Sequence, residues 1–179
     1  MKQYITPEQL RLESFQLGKQ INDSNYKPDF LIAIWRGGAM VGCYVHEMLK
    51  YKNITCDHIA IRTSRYEGID CAKPQVTVYN LGYLLEQIKP DSRILVVDDV
   101  FDTGLSIDTL INTLQNKLGY WVNVKIATPY YKPTRNQTLR VPDFYIHTTD
   151  HWLVFPHELE GLTSDEIGDH FGQQIKQLL

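Results

Sequence analysis

The sequence predicts an α/β fold with a central, mostly parallel sheet flanked by helices. Apolar runs of strand length alternate with amphipathic helical stretches along the chain. Glycine turns and helix-capping residues sit at the junctions between them. No repeat, low-complexity tract or linker interrupts the 179 residues, a length that suits one domain. Strands alternating with helices imply parallel pairing through right-handed crossovers.

Thr6-Pro7-Glu8-Gln9 opens a helix expected to run to about Ile21, with Thr6 as N-cap and Pro7 at the first helical position. Phe30-Leu31-Ile32-Ala33-Ile34 reads as a buried strand. Trp35-Arg36-Gly37-Gly38 is a turn, and Ala39 to Leu49 carries a helical apolar pattern. His58-Ile59-Ala60-Ile61 is the next strand. The polar stretch from Arg62 to Tyr79 holds Gly68 and Pro74 and reads as a long loop or a weak hairpin. Leu81 to Ile88 is a short helix, and Arg93-Ile94-Leu95-Val96-Val97 a buried strand.

Ile107, Leu110, Ile111, Leu114 and Leu118 then share one helix face, and Gly119 marks the stop. Trp121 to Ala127, Phe144 to Ile146 and Trp152 to Phe155 are further strands. Thr163 to Leu178 is expected to be one closing amphipathic helix, capped by Thr163 or Ser164.

Bulk properties narrow the function. Hydrophobic residues make up 43% and charged residues 22%, an ordinary globular composition. The net charge of -3 offers no basic surface for nucleic acid or an acidic membrane. No apolar run approaches the roughly 20 residues of a membrane span. The opening Met-Lys-Gln-Tyr-Ile-Thr-Pro-Glu lacks the apolar core of a signal peptide. Cys43, Cys56 and Cys71 are odd in number and lack metal-like spacing, so reduced thiols in a cytoplasmic protein are expected. His147 and His151 flank a strand end and turn, which is a poor frame for a shared metal.

The densest chemistry lies after the strand at 93–97. Asp98 and Asp99 end it, Asp102 follows in the turn, and Thr103-Gly104-Leu105-Ser106 opens the next helix. Open α/β sheets bind ligands at such strand ends. Free N–H groups at a helix N-terminus and small hydroxyls make a phosphate cradle. Adjacent carboxylates suit ribose hydroxyls, magnesium or proton transfer. The segment implies a sugar-phosphate ligand. Ile34-Trp35-Arg36-Gly37-Gly38 repeats the strand, glycine turn and helix order, with Arg36 as a fixed charge for phosphate oxygens.

Two acidic residues, two residues, then Asp-Thr-Gly-x-Ser after a hydrophobic strand resembles the phosphoribosyl pyrophosphate (PRPP) motif of the type I phosphoribosyltransferases. Tyr130-Tyr131-Lys132-Pro133 and the later Trp152-Leu153-Val154-Phe155-Pro156-His157-Glu158 resemble the 6-oxopurine branch of that family. The resemblance spans about Phe30 to Glu158. It implies the type I phosphoribosyltransferase fold over 1–179, with a core of about 25–140 and a small hood from 1–24 and 141–179.

It also implies the reaction. The 5-phosphoribosyl group of PRPP would pass to N9 of a 6-oxopurine, hypoxanthine or guanine, giving a nucleoside monophosphate and pyrophosphate with Mg2+ as cofactor. Arg36 and Gly37 would hold the pyrophosphate. Asp98 and Asp99 would meet the ribose and orient the metal. Thr103, Gly104, Leu105 and Ser106 would cradle the 5′-phosphate. Asp102 would be the catalytic base.

Lys132 would select the 6-oxygen, Trp152 would stack on the base, and the backbone of Leu153 would read its edge. Glu158, where aspartate is usual, would stand near the metal with Asp99. The Trp35–Arg36 bond is the candidate for a cis peptide, and the Arg62–Asn80 loop for a lid. Ser64-Arg65-Tyr66 departs from the family's Ser-Tyr lid pair, and Leu105 stands where relatives often have a glycine. Relatives are homodimers or homotetramers. A xanthine-guanine enzyme and a PRPP-sensing regulator without catalysis are the alternatives.

Overall fold

Two apolar runs, β2 (Phe30–Trp35) and β5 (Arg93–Val97), lie side by side and parallel at the centre of the sheet, with Ala33 opposite Val97. The computed structural model describes residues 2–66 and 75–179. Alternate residues of both strands enter opposite layers. Leu31, Ala33, Leu95 and Val97 pack under helices α1 (Pro7–Asp23) and α2 (Gly37–Tyr51). Ile32, Ile34, Ile94 and Val96 pack against α3 (Gly82–Gln87) and α4 (Leu105–Leu118). Each such buried Leu, Ile or Val side chain stabilises the fold by about 1.5–3 kcal/mol before entropy is charged against it. Burial on both faces is why these strands read as continuous apolar runs rather than alternating ones.

The main sheet also takes in β3 (Asp57–Tyr66), β4 (Gln75–Val78), β6 (Val100–Phe101), β7 (Asn123–Tyr131) and β8 (Phe144–Thr148). Its order is β4-β3-β2-β5-β7-β6, with β8 also on β7. The β3–β4 pairing is antiparallel and the other pairings are parallel. From β2 the chain builds outward to β3, then returns to the other side of β2 with β5. The carboxyl ends of β2 and β5 therefore flank the point where strand order reverses, the crevice where open α/β sheets bind ligands.

The chain ends meet above this crevice. β1 (Lys2–Tyr4) runs parallel to β9 (Trp152–Val154) as a separate two-stranded sheet. Glu166 ties the closing segment to it, accepting from Lys2 Nζ at 2.6 Å and from the Tyr4 hydroxyl at 2.8 Å. α1 and β8, from the stretches assigned to the hood, pack with the main sheet instead.

The structure decides one open expectation and departs from the sequence in two other places. The Arg62–Tyr79 stretch is a hairpin where described, β3 running on to Tyr66 and pairing with β4. The centre of the expected lid, 67–74, lies outside the described residues. The strand expected over Trp121–Ala127 begins at Asn123 and continues to Tyr131, because its second half pairs with β6 and β8. The single closing helix is two, α5 (Ser164–His170) and α6 (Gln173–Lys176). Gly172 separates them at φ 100°, outside the helical region. Thr163 is the cap of α5, in a reciprocal capping box with Glu166.

Candidate active site

The loop after β5 and the loop after β2 touch. Asp99 is buried, at 8% exposure, under the second of them. A Cβ at Gly37 would overlap its carboxylate, so the chain's path there requires glycine. The Trp35–Arg36 peptide before it is cis. The Asp99 N–H donates to Asp98 Oδ1 at 3.0 Å. His157 Nε2 lies 3.0 Å from Asp99 Oδ2.

Burial, and the neighbouring Asp99 charge, hold the Asp98 carboxyl well above the usual carboxylate range. Burial also raises Glu158, and Asp99 adds to it, while His157 and Arg36 oppose. The excess negative charge of this cluster is what a divalent cation relieves. Among the described residues no three His, Cys, Asp or Glu side chains converge to hold a metal alone. Magnesium commonly takes one or two carboxylates and completes its shell with phosphate oxygens and water, and Asp99 and Glu158 fit that mode.

Below the acidic pair, a small pocket of about 70 Å³ is lined by Asp98, Asp102, Thr103, Gly104 and Ser106, with Phe101 and Ile107 behind. Gly104 caps α4 in the left-handed region at φ 76°, and a Cβ there would sit 2.6 Å from the Phe101 ring. The helix start that follows leaves N–H groups without helical partners beside the pocket that Ser106 and Ile107 line. Leu105 lines a different groove, with Asp108 and Asn112, so its bulk does not fill the small pocket.

Lys132, at the end of β7, is 4% exposed. Its Nζ donates to Asp102 Oδ2 at 3.3 Å. Arg135 Nε lies 2.6 Å from Asp102 Oδ1. One carboxylate thus stands between two cations.

A larger cavity of about 380 Å³ opens beside the glycine loop, lined by Lys2, Arg36, Trp152, Glu158 and Glu160. Trp152 is 64% exposed, so it is not a core tryptophan. Leu153 is buried in the core, with its backbone in register with Gln3 of β1.

The structure therefore brings Arg36, Trp152 and Glu158 together, and Asp98, Asp102, Thr103, Gly104 and Ser106 together. Gly37 joins Asp99, and Lys132 joins Asp102. Lys132 and Leu153 line neither cavity. Of the two histidines that flank a strand end, His147 Nε2 lies 2.8 Å from Glu13 Oε1.

Sequence reasoning missed Arg135, His157 and Lys2. Arg135 had a signal, three residues after Lys132 across a Pro133–Arg135 turn of 3₁₀ helix. His157 and Lys2 had none, because their partners come from distant segments.

The phosphoribosyl transferase domain model matches residues 10–160. A purine phosphoribosyltransferase from Pyrococcus horikoshii is 30% identical, with a TM-score of 0.69 over 90% of this chain and 97% of that one. A hypothetical protein from Neisseria gonorrhoeae with bound ppGpp superposes at TM-score 0.71 with 22% identity, over 95% and 96% of the two chains. The xanthine-guanine-hypoxanthine phosphoribosyltransferase of Helicobacter pylori gives 0.65 at 20% identity, over 95% and 100%. At those identities the last two speak for the fold alone. A search of curated proteins found no match.

Proposed function

This chain belongs to the phosphoribosyl transferase domain family, and from that premise we propose that it transfers the 5-phosphoribosyl group of PRPP to N9 of a 6-oxopurine, hypoxanthine or guanine. The observation that carries this reading is Lys132, buried behind the pocket's Asp102 with its ammonium on that carboxylate. A buried ammonium needs an acceptor. The exocyclic oxygen of a 6-oxopurine accepts from it, while the 6-amino group of adenine presents a donor and is rejected.

In this reading the C1′–N9 bond forms as the bond from C1′ to the pyrophosphate oxygen breaks. The electron pair leaves with pyrophosphate, beside Arg36 in the larger cavity. The proton of the incoming base goes to Asp102. Thr103, Gly104 and Ser106 hold the 5′-phosphate, and Asp98 and Asp99 the ribose. Trp152 gives the base a stacking face. Asp99 and Glu158 would hold Mg2+, which when bound neutralises charge on the diphosphate. We place the enzyme in the cytoplasm, in keeping with the free thiols of Cys43 and Cys56, as a homodimer or homotetramer.

The test is a panel of hypoxanthine, guanine, xanthine and adenine with PRPP and Mg2+, following pyrophosphate release. Hypoxanthine or guanine is expected to exceed adenine in kcat/KM by at least about 100-fold, the discrimination of an unpaired buried polar group. A win for adenine overturns the role of Lys132, and a win for xanthine moves the enzyme to the xanthine-guanine type. Asp102→Asn should keep PRPP binding and lower kcat by about 10²–10⁴-fold, the usual contribution of a general base. Unchanged turnover removes Asp102 from the reaction.

A further inference from the structure

We propose that His157 is a positioning residue of this reaction. Its imidazole donates from Nε2 to Asp99 and so holds the acidic pair in the geometry that receives PRPP. The inference rests on the reading of Asp98 and Asp99 given above.

The geometry has three parts. His157 Nε2 lies 3.0 Å from Asp99 Oδ2, and each side chain is only 11% exposed. The imidazole lies nearly parallel to the Phe155 ring, at 15° and 5.4 Å between centroids. Phe155 is 2% exposed in the α1–α2 core, so the core itself sets where the imidazole stands. On the other side the carboxylate packs against Gly37, in the space a Cβ there would fill.

A carboxylate confined on one side and bonded on the other cannot rotate freely. Its backbone N–H in turn donates to Asp98 Oδ1, so fixing Asp99 also steadies its neighbour. His157 Nδ1 is buried with no partner among the described residues. The ring's one polar contact is therefore the one to Asp99, and packing on Phe155 alone would not require a ring with nitrogen. His157 also precedes Glu158, which lines the cavity with Arg36, so the residue that holds Asp99 is next in the chain to that cavity's carboxylate. Groups that orient a ligating carboxylate commonly change affinity or activity 10–100-fold when removed.

Three variants separate positioning from packing. His157→Ala removes both the ring and the donor. His157→Phe keeps the ring on Phe155 and loses the donor. His157→Gln loses the ring and keeps an N–H donor at about the same reach. PRPP binding with Mg2+ and no base is measured by calorimetry, steady-state kinetics in both substrates follow, and each variant is melted.

The Ala and Phe variants are expected to weaken PRPP binding and lower kcat by about 10–100-fold. Their KM for the base should stay within about twofold, and Gln should recover most of both losses, since the lost term is one charge-assisted hydrogen bond. The proposal is overturned if Phe matches the wild type, if Gln is as impaired as Ala, or if the KM for the base moves with that for PRPP. A wild type that binds PRPP but turns over no base sinks the catalytic reading alone, and the binding series still judges His157. A wild type that binds no PRPP sinks both.

Discussion

The pocket under Thr103 and the cavity under Trp152 are built in opposite ways. Every residue lining the first comes from one stretch, Asp98 to Ile107, and its shape is set by a strand end, a left-handed glycine and a helix start. The second draws Lys2, Arg36, Trp152 and Glu158 from segments that meet only because β1 pairs with β9 over the end of β2. A contiguous site depends on local backbone geometry. An assembled one depends on which strands pair and how the chain ends return.

The comparison breaks first at Gly104. Alanine there meets both the left-handed backbone and the Phe101 ring, which together should cost about 2–4 kcal/mol. Urea unfolding should show that loss, and calorimetry should show weaker PRPP binding. A variant as stable as the wild type would mean that local geometry does not shape the pocket. The assembled cavity should respond differently. Trp152→Ala removes an outward-facing ring, so the melting temperature should hold while the KM for the purine rises about tenfold, the worth of one stacking contact. A fall in stability without a change in KM would return Trp152 to a packing role.

The smallest effect concerns what holds the cavity's far wall. Hydrogen bonds from Lys2, the Thr163 N–H and Tyr4 lower Glu166 to about 2 from its ordinary 4.5. A lowered carboxylate adds stability that is present above about pH 4.5 and lost as pH falls through about 2. The melting temperature of Glu166→Gln should therefore lie below that of the wild type near neutral pH and converge with it toward pH 2. A gap that is constant across this range would show that the ties on Glu166 do not fasten the chain ends.

The same contrast explains what could be read in advance. The central strands were legible because both faces are buried, which makes 30–34 and 93–97 continuously apolar. The turn at 98–106 was legible because acids, glycine and hydroxyl residues stand at a strand–helix junction. Lys132 and Trp152 were legible as residues but not as environments. Burial puts the lysine on Asp102, and exposure puts the indole on the cavity. β1 was not legible, since three residues carry no period and its partner lies about 150 positions away.

Composition, alternation and capping chemistry by themselves determined the α/β class, most element positions and the acidic turn at 98–106, because these follow from each residue's own backbone and burial preferences. Only the tertiary structure decided that His157 reaches Asp99, that Arg135 shares Asp102 with Lys132, and that Lys2 joins Trp152. Those pairings depend on sheet order and on the return of the chain ends, and no local preference encodes a partner so far along the chain.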